Sequence, residues 1–321
     1  MIKTRFNSLV ENDLILVEKK MHSHSSDYHT NLQQALDHLI ASGGKRLRPV
    51  LALLVGKMLG AETERVITLA AAIELLHTAT LVHDDLIDGS LLRRGIPTLN
   101  SEWSPAATVL AGDFIFARAA ELAAETESID VMKIFARTLS TIVTGEINQL
   151  FSRKRVANRQ EYYKRINAKT ASMFVLATKA TALLSEANGE VIHNMEVYGY
   201  HVGMAFQIVD DILDFTGEQV TVGKPVASDL RQGIITLPAI YYNELHPDDE
   251  NMQAVLDGNF YNDLLMTNLI NSIRNSDVIE KSMNEARNFI EKGVDTISEF
   301  PFSAERDALI DFAEYVVDRD I

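Results

Sequence analysis

Long apolar stretches with a helical spacing constrain this chain most strongly. Apolar residues recur three and four positions apart, as a helix with a buried stripe requires, in residues 50–59, 67–86, 106–124 and 131–150. Strand-like alternation is nearly absent from the sequence, and no linker is long enough to separate two domains. The sequence therefore predicts an all-α protein in which residues 1–321 form a single large helical bundle.

Composition excludes several classes of function. The 321 residues carry a formal net charge of −15, which argues against a general nucleic-acid binder because phosphate backbones are bound by broad basic surfaces. The absence of cysteine excludes disulfides, thiolate metal sites and cysteine nucleophiles. Residues 1–20 lack the layout of a secretory signal, and we find no run of about 18 apolar residues. We expect a cytoplasmic protein without a transmembrane segment.

An acidic motif, DDLID, ends the second apolar stretch. Its outer residues, Asp84 and Asp88, are four positions apart and would share one helix face, where two carboxylates repel each other. A divalent cation removes that repulsion, and Mg²⁺ usually takes one or two carboxylates and leaves its other positions to water and phosphate. For a single motif of this kind, a solvated acidic helix face is the alternative.

The same spacing recurs in a second apolar helix, at Asp210, Asp211 and Asp214. Acidic clusters among apolar residues are costly unless they are paired or bound to metal. The repetition therefore favours two facing aspartate helices that hold Mg²⁺ and a diphosphate.

Basic residues supply candidate partners for that anion. The segment GGKRLRP places Lys45, Arg46 and Arg48 beside two glycines, which suits a phosphate-binding turn, although a surface basic patch is the alternative. Further cations follow at Arg93, Arg94, Lys169 and Lys224. His77 lies seven residues before Asp84 and would share its helix face, with a buried structural histidine as the alternative.

Together these residues resemble the trans-isoprenyl diphosphate synthase family, in order from about Gly43 to Pro238. The markers are GGKRLRP, the two DDxxD motifs, Arg93-Arg94, Lys169-Thr170 and Gln207. The resemblance implies the isoprenoid synthase fold, an all-helical bundle with a deep central cavity. It also implies a homodimer or, in some members, a heterodimer.

The resemblance further implies a reaction and a role for each matching residue. Isopentenyl diphosphate would be joined to an allylic diphosphate with up to three Mg²⁺ ions, which Mn²⁺ can replace. The implied Mg²⁺ ligands are Asp84, Asp88 and Asp210, and the implied catalytic set is Asp84, Asp85, Asp88, Lys169, Asp210, Asp211 and Asp214. The matching positions hold isopentenyl diphosphate at Lys45, Arg48, His77 and Arg94, with Arg46 in the same segment. They hold the allylic diphosphate at Arg93, Lys169, Thr170, Gln207 and Lys224.

Product length is predicted from the residues that precede the first motif. Family members with short products tend to carry a bulky aromatic there, whereas this chain has Ala79 and Thr80. We therefore expect a product of roughly C30 to C50, such as the side chain of a respiratory quinone. Residues 216–233 are the candidate lid, and Ile234 replaces a lysine that is common in the family.

Four other functions remain open at this level. The chain could be a short-chain synthase that stops at roughly C15 to C20, or the catalytic subunit of a heterodimeric synthase. A class I terpene cyclase would have no use for a second diphosphate site, and a non-catalytic regulatory subunit would not need intact aspartates in both motifs.

Overall fold

The computed structural model describes residues 5–23, 29–41, 44–93, 95–151, 158–217 and 226–319. The prediction of an all-α protein is confirmed over these residues, because the strands there are confined to a two-residue pair, β1 (Leu92–Arg93) and β2 (Ile96–Pro97), which is antiparallel. The helices are α1 (Arg5–Ser8), α2 (Glu11–Met21), α3 (Thr30–Ala41), α4 (Leu47–Leu59), α5 (Thr63–Ile87), α6 (Leu99–Glu102), α7 (Pro105–Glu125), α8 (Ile129–Phe151), α9 (Arg159–Ile166), α10 (Ser172–Leu184), α11 (Gly189–Thr216), α12 (Ser228–Arg231), α13 (Leu237–Leu245), α14 (Glu250–Leu256), α15 (Asp263–Arg274), α16 (Val278–Ser298) and α17 (Ala304–Asp318). A π-helical segment, Asn167–Ala171, joins α9 to α10.

The chain divides into two compact units, each assembled from separate segments. Unit 1 comprises Met1–Thr138, Met173–Gly199 and Glu299–Phe312. Unit 2 comprises Leu139–Ser172, Tyr200–Ser298 and Ala313–Ile321. The single domain and the deep central cavity that the sequence suggests stay predictions.

Helix α5 forms the core of unit 1. Its apolar residues from Val66 to Leu76 are buried on every side of the helix, as expected for a helix that is hydrophobic all round. It packs most extensively against α7, and then against α4 and α2. By length and composition α5 is apolar enough to span a membrane, contrary to the expectation from the sequence, but 78% of its most apolar window is buried inside the protein. That burial is the arrangement of a core helix.

The close packing of α5 on α7 depends on a glycine. A Cβ atom added at Gly112 of α7 would collide with the imidazole ring of His83 on α5. The His83 ring is fixed because its Nε2 lies 3.2 Å from the Val109 carbonyl oxygen and 3.6 Å from Asp113 Oδ1. Only a residue without a side chain allows this approach.

We therefore expect Gly112→Ala to lower the free energy of unfolding by about 1–3 kcal/mol through overpacking, measured by thermal denaturation. Gly189→Ala is the matched control, because a Cβ there meets no heavy atom within 4 Å. An unchanged melting temperature for Gly112→Ala would contradict the described packing of α5 on α7.

Unit 2 is held together by polar contacts as well as by apolar packing. Helix α13 packs against α16, α15 and α9. Glu285 of α16 accepts hydrogen bonds from Tyr163 Oη at 3.0 Å and from Tyr241 Oη at 3.2 Å. Lys281, one helical turn before Glu285, lies 4.3 Å from the centre of the Tyr241 ring. These contacts join α9 and α13 to α16.

Candidate active site

The first aspartate motif lies at the C-terminal end of α5. Asp84 is half-buried and Asp88, which caps the helix, is exposed. The middle residue, Asp85, is buried, and its carboxylate is held by Arg93 of β1, with Nε 3.0 Å from both carboxylate oxygens and Nη2 2.8 Å from Oδ1. The negative end of the helix dipole disfavours further negative charge at this terminus. Asp84 and Asp88 therefore form a place where a bound cation is stabilising.

One face of α5 is less buried than the rest of the helix. His77, Thr80, Asp84 and Asp88 recur at three- or four-residue intervals and are all at least partly exposed, so they share this face. Ala79, by contrast, is fully buried within unit 1. Of the two residues predicted to control product length, Thr80 is the one on the face of the aspartates.

The three basic residues of the turn before α4 lie in different environments. Arg46 has a left-handed backbone conformation, with φ of 48°. Its guanidinium lies 2.7 Å from Glu74 Oε1 and donates to the Ile40 carbonyl oxygen at 2.7 Å. Both side chains of the Arg46–Glu74 pair are less than a tenth exposed. The guanidinium of Arg46 therefore holds the turn in place inside the protein, and the role of Arg46 in binding substrate stays a prediction.

The neighbouring cations in this turn are more accessible. Lys45 is exposed, and the half-buried Arg48 lies with its guanidinium carbon 5.0 Å from the centre of the Phe174 ring. Arg94 and Lys224, both predicted substrate ligands, lie outside the described residues, as do Gly43 and residues 218–225 of the candidate lid.

The second aspartate motif lies at the end of α11, in unit 2. Its middle residue, Asp211, is buried and accepts hydrogen bonds from Tyr162 Oη at 2.7 Å and from Gln207 Nε2 at 2.8 Å. Thr170 Oγ1 donates to Gln207 Oε1 at 2.6 Å. The structure thus brings together Thr170, Gln207 and Asp211, which were predicted from the sequence, and adds Tyr162, which was not.

Burial chiefly, and then the nearby charge of Asp229, raises the pKa of the Asp211 carboxyl to about 8. The hydrogen bonds from Gln207 and Tyr162 act in the opposite direction, because they stabilise the charged form. The hydrogen bonds from Gln207 and Tyr162 therefore help to stabilise the Asp211 carboxylate in its buried position.

The outer aspartates of the second motif are half-buried. Asp214 accepts hydrogen bonds from the backbone N–H groups of Ser228 at 3.0 Å and Asp229 at 3.1 Å, so it anchors the start of α12. Asp210 is paired with Arg319 of the C-terminal segment, with Nη2 2.8 Å from Oδ1. No pattern in the sequence indicates this arginine.

Lys169 lies in the π-helical segment, directly before Thr170. Its Nζ is 2.8 Å from Glu146 Oε1, and its side chain is 40% exposed. Short π-helical segments inside helices are rare and occur frequently at functional sites. Ile234, which replaces the expected lysine, is partly exposed, and its backbone N–H donates to the Asp229 carbonyl oxygen at 2.9 Å.

The donor chemistry fits a hard divalent cation. Within the described ranges, no group of three or more His, Asp or Glu side chains is close enough to hold a metal alone. Each motif nevertheless keeps two outer carboxylates at least partly accessible while its middle one is buried. Mg²⁺ needs only one or two carboxylates when substrate phosphate and water complete its shell.

A groove of about 500 Å³ in unit 1 is unrelated to these residues. It lies between α3 and α7 and is lined by His29, Asn31, Leu32, Trp103, Ser104, Ala107, Leu110 and Ala111. None of the site residues predicted from the sequence lines it, and we assign it no role in the reaction.

We expect Tyr162→Phe to lower the activity, because the buried Asp211 carboxylate would lose one of its hydrogen bonds. An unsatisfied buried acceptor costs about 1–3 kcal/mol of stability. Loss of such a supporting contact typically lowers metal affinity or activity by about 10- to 100-fold. Tyr163→Phe is the matched control, since Tyr163 donates to Glu285 and not to the motif. Equal activity of the two variants in a steady-state assay would contradict this role for Tyr162.

Comparison with known proteins gives one consistent result. The sequence model of the polyprenyl synthetase family matches residues 29–273. Component 2 of heptaprenyl diphosphate synthase from Geobacillus stearothermophilus is 35% identical over 316 residues, 98% of each chain. A polyprenyl synthase from Caulobacter crescentus, crystallised with calcium and isoprenyl diphosphate, has a TM-score of 0.90 and 34% identity, covering 98% of this chain and 97% of that one. A decaprenyl diphosphate synthase from Rhodobacter capsulatus has a TM-score of 0.88 and 31% identity, covering 98% of both chains.

Proposed function

The chain belongs to the polyprenyl synthetase family of prenyltransferases, and on that premise we propose that it extends an allylic diphosphate with isopentenyl diphosphate to an all-trans product of roughly C30 to C50. The observation that carries this proposal is the face of α5 that presents His77, Thr80, Asp84 and Asp88 together without a bulky Phe, Tyr or Trp side chain. The relatives named as heptaprenyl and decaprenyl diphosphate synthases support the long product.

We assign the divalent cations to Asp84, Asp88 and Asp210, with Mg²⁺ as the ion, up to three ions bound, and Mn²⁺ as a replacement. The accessible outer carboxylates support this assignment, as does the calcium in the related structure from Caulobacter crescentus. When bound, such a cation supplies Lewis-acid stabilisation of the charge on a departing diphosphate.

The protein's own residues bind the two diphosphates and orient them. We propose that Lys45, Arg48 and His77, with Arg94, hold isopentenyl diphosphate. Lys169, Thr170 and Gln207, with Arg93 and Lys224, hold the allylic diphosphate. Because Arg93 is also bound to Asp85 in this structure, its contact with substrate would be shared with that carboxylate.

The chemistry proceeds by ionisation and addition. The allylic C–O bond breaks, and its electron pair leaves with the diphosphate. The double bond of isopentenyl diphosphate then attacks the allylic cation, and loss of a proton restores a double bond and completes one five-carbon extension. Positively charged side chains fixed in advance stabilise the departing charge without reorganising. We propose the released diphosphate as the proton acceptor.

We propose a homodimer in the cytoplasm. The alternative is the catalytic subunit of a heterodimer, which the name of the Geobacillus relative as component 2 of its synthase supports.

The proposed reaction is tested by omitting one component at a time from an assay of the purified protein. We expect release of diphosphate to require the allylic diphosphate, isopentenyl diphosphate and Mg²⁺ together. Release of diphosphate from the allylic substrate alone, with a cyclic hydrocarbon as product, would identify a terpene cyclase and contradict the proposal.

A further inference from the structure

Arg319, at the C-terminal end of the described chain, is bound to the second aspartate motif. Its Nη2 lies 2.8 Å from Asp210 Oδ1 and donates to the Phe206 carbonyl oxygen at 2.6 Å. Its Nε donates to the Val316 carbonyl oxygen at 3.1 Å, and its guanidinium carbon lies 4.0 Å from the centre of the Phe206 ring. The side chain is 8% exposed. These contacts hold the buried guanidinium of Arg319 against the carboxylate of Asp210.

The surroundings of Arg319 explain why a positive charge is needed there. Asp210, Asp211 and Asp214 follow one another on α11, and Asp229 is close enough for its charge to raise the pKa of Asp211. Carboxylates crowded together repel one another, and a partly buried one is costly unless it is paired. An ion pair with Arg319 removes part of that cost when no metal is bound.

The same pair has a consequence for metal binding. A cation beside a carboxylate typically changes its affinity for a proton by about 10- to 1,000-fold, and a divalent ion carries twice the charge of a proton. Arg319 must therefore weaken the attraction of Asp210 for a metal ion that arrives without diphosphate. Diphosphate brings negative charge of its own and offsets this effect.

We propose that Arg319 is an internal counter-ion of Asp210, which stabilises the second motif without metal and competes with a divalent cation for it. This inference rests on the proposed role of Asp210 as a metal ligand. It predicts that the protein binds Mg²⁺ weakly by itself and tightly together with diphosphate.

The chain offers a matched control in Arg306. This arginine is also almost fully buried, its guanidinium carbon lies 4.1 Å from the centre of the Phe302 ring, and it donates to the Phe300 carbonyl oxygen at 2.9 Å. Its Nη2 lies 3.3 Å from Oδ1 of Asp307, a carboxylate that belongs to neither motif. Arg306→Met therefore removes similar packing and charge without touching the motif.

The test is a calorimetric Mg²⁺ titration and a thermal denaturation of the purified full chain without substrate. We expect Arg319→Met to bind Mg²⁺ about tenfold or more tightly than the unmodified protein. Its melting temperature should be lowered in EDTA and regained in Mg²⁺, because a ligand that binds only the folded state stabilises it. Arg306→Met should also melt earlier, but Mg²⁺ should not restore it.

Two further variants test whether the charges of Arg319 and Asp210 cause the change in Mg²⁺ affinity. Arg319→Lys keeps the charge and should retain the Mg²⁺ affinity of the unmodified protein. The double variant Asp210→Asn/Arg319→Met should lose the gain in affinity, since the carboxylate is no longer charged. If Arg319→Met is insoluble in EDTA, recovery of soluble protein in Mg²⁺ supports the proposal and no recovery overturns it.

Unchanged or weaker Mg²⁺ binding by Arg319→Met would overturn the counter-ion role. This result is independent of catalysis, so failure of the proposed reaction would appear separately, as an unmodified protein that makes no prenyl product.

Discussion

Asp84→Asn is expected to lower kcat for prenyl transfer by about 10³-fold or more. The replacement removes the charge of one proposed metal ligand from the face of α5 and keeps the shape of the side chain. A bound metal ion stabilises the transition-state charge by several kcal/mol, and each 1.36 kcal/mol corresponds to about a tenfold change in rate. Steady-state kinetics at saturating Mg²⁺ measure the loss.

The melting temperature separates this effect from a folding defect. Asp84 lies half-buried at the C-terminal end of α5, and a cooperative melting transition of Asp84→Asn will show that the variant is folded when its kcat is measured. Asp85→Asn should melt earlier, because it breaks the ion pair between the buried Asp85 carboxylate and the partly exposed Arg93. Asp130→Asn, an exposed carboxylate paired only with Lys133 in the described contacts, is the control for activity. A near-normal kcat for Asp84→Asn would contradict a catalytic role for the first aspartate motif.

Thr80→Phe is expected to shorten the product from roughly C30 to C50 to roughly C15 to C20. Thr80 lies on the same face of α5 as the aspartates and one turn before Asp84, so an aromatic ring there would meet the growing tail. Pocket shape selects ligand length by excluding atoms that do not fit. Chromatography of the dephosphorylated products gives the chain length directly.

Thr80→Val is the matched control, because it is close in size and loses only the hydroxyl that donates to the His77 carbonyl oxygen at 2.7 Å. Its products should keep their length. Ala79→Phe should instead destabilise the protein by about 1–3 kcal/mol through overpacking, since Ala79 is fully buried in unit 1. Unchanged products from Thr80→Phe would place the length control on another element.

The sequence predicts the helices, and the shared helix face of Asp84 and Asp88, for physical reasons. An apolar spacing of three and four residues can bury its stripe only as a helix, and α5, α7 and α11 form accordingly. The spacing of Asp84 and Asp88 fixes them on one face whatever packs around them.

Other features depend on tertiary contacts that no local pattern contains. Arg46 and Arg48 look equivalent in the sequence, yet Arg46 turns inward to Glu74. Ala79 and Thr80 look equally suited to control product length, but the rotation of α5 buries only the first.

The supporting residues of the second motif could not be predicted for the same reason. Tyr162 and Arg319 are far from Asp210 and Asp211 along the chain, and only folding brings them together. The π-helical segment around Lys169 likewise has no distinctive composition. A buried carboxylate such as Asp211 nevertheless demands donors, so the existence of partners, though not their identity, follows from the motif.

The most direct test of the account is incubation of the purified chain alone with farnesyl diphosphate, labelled isopentenyl diphosphate and Mg²⁺, followed by chromatography of the dephosphorylated products. We expect a ladder of labelled products that ends between roughly C30 and C50. No incorporation of label by the chain alone, or products that end at roughly C15 to C20, would contradict the claim that this protein by itself is a long-chain polyprenyl diphosphate synthase.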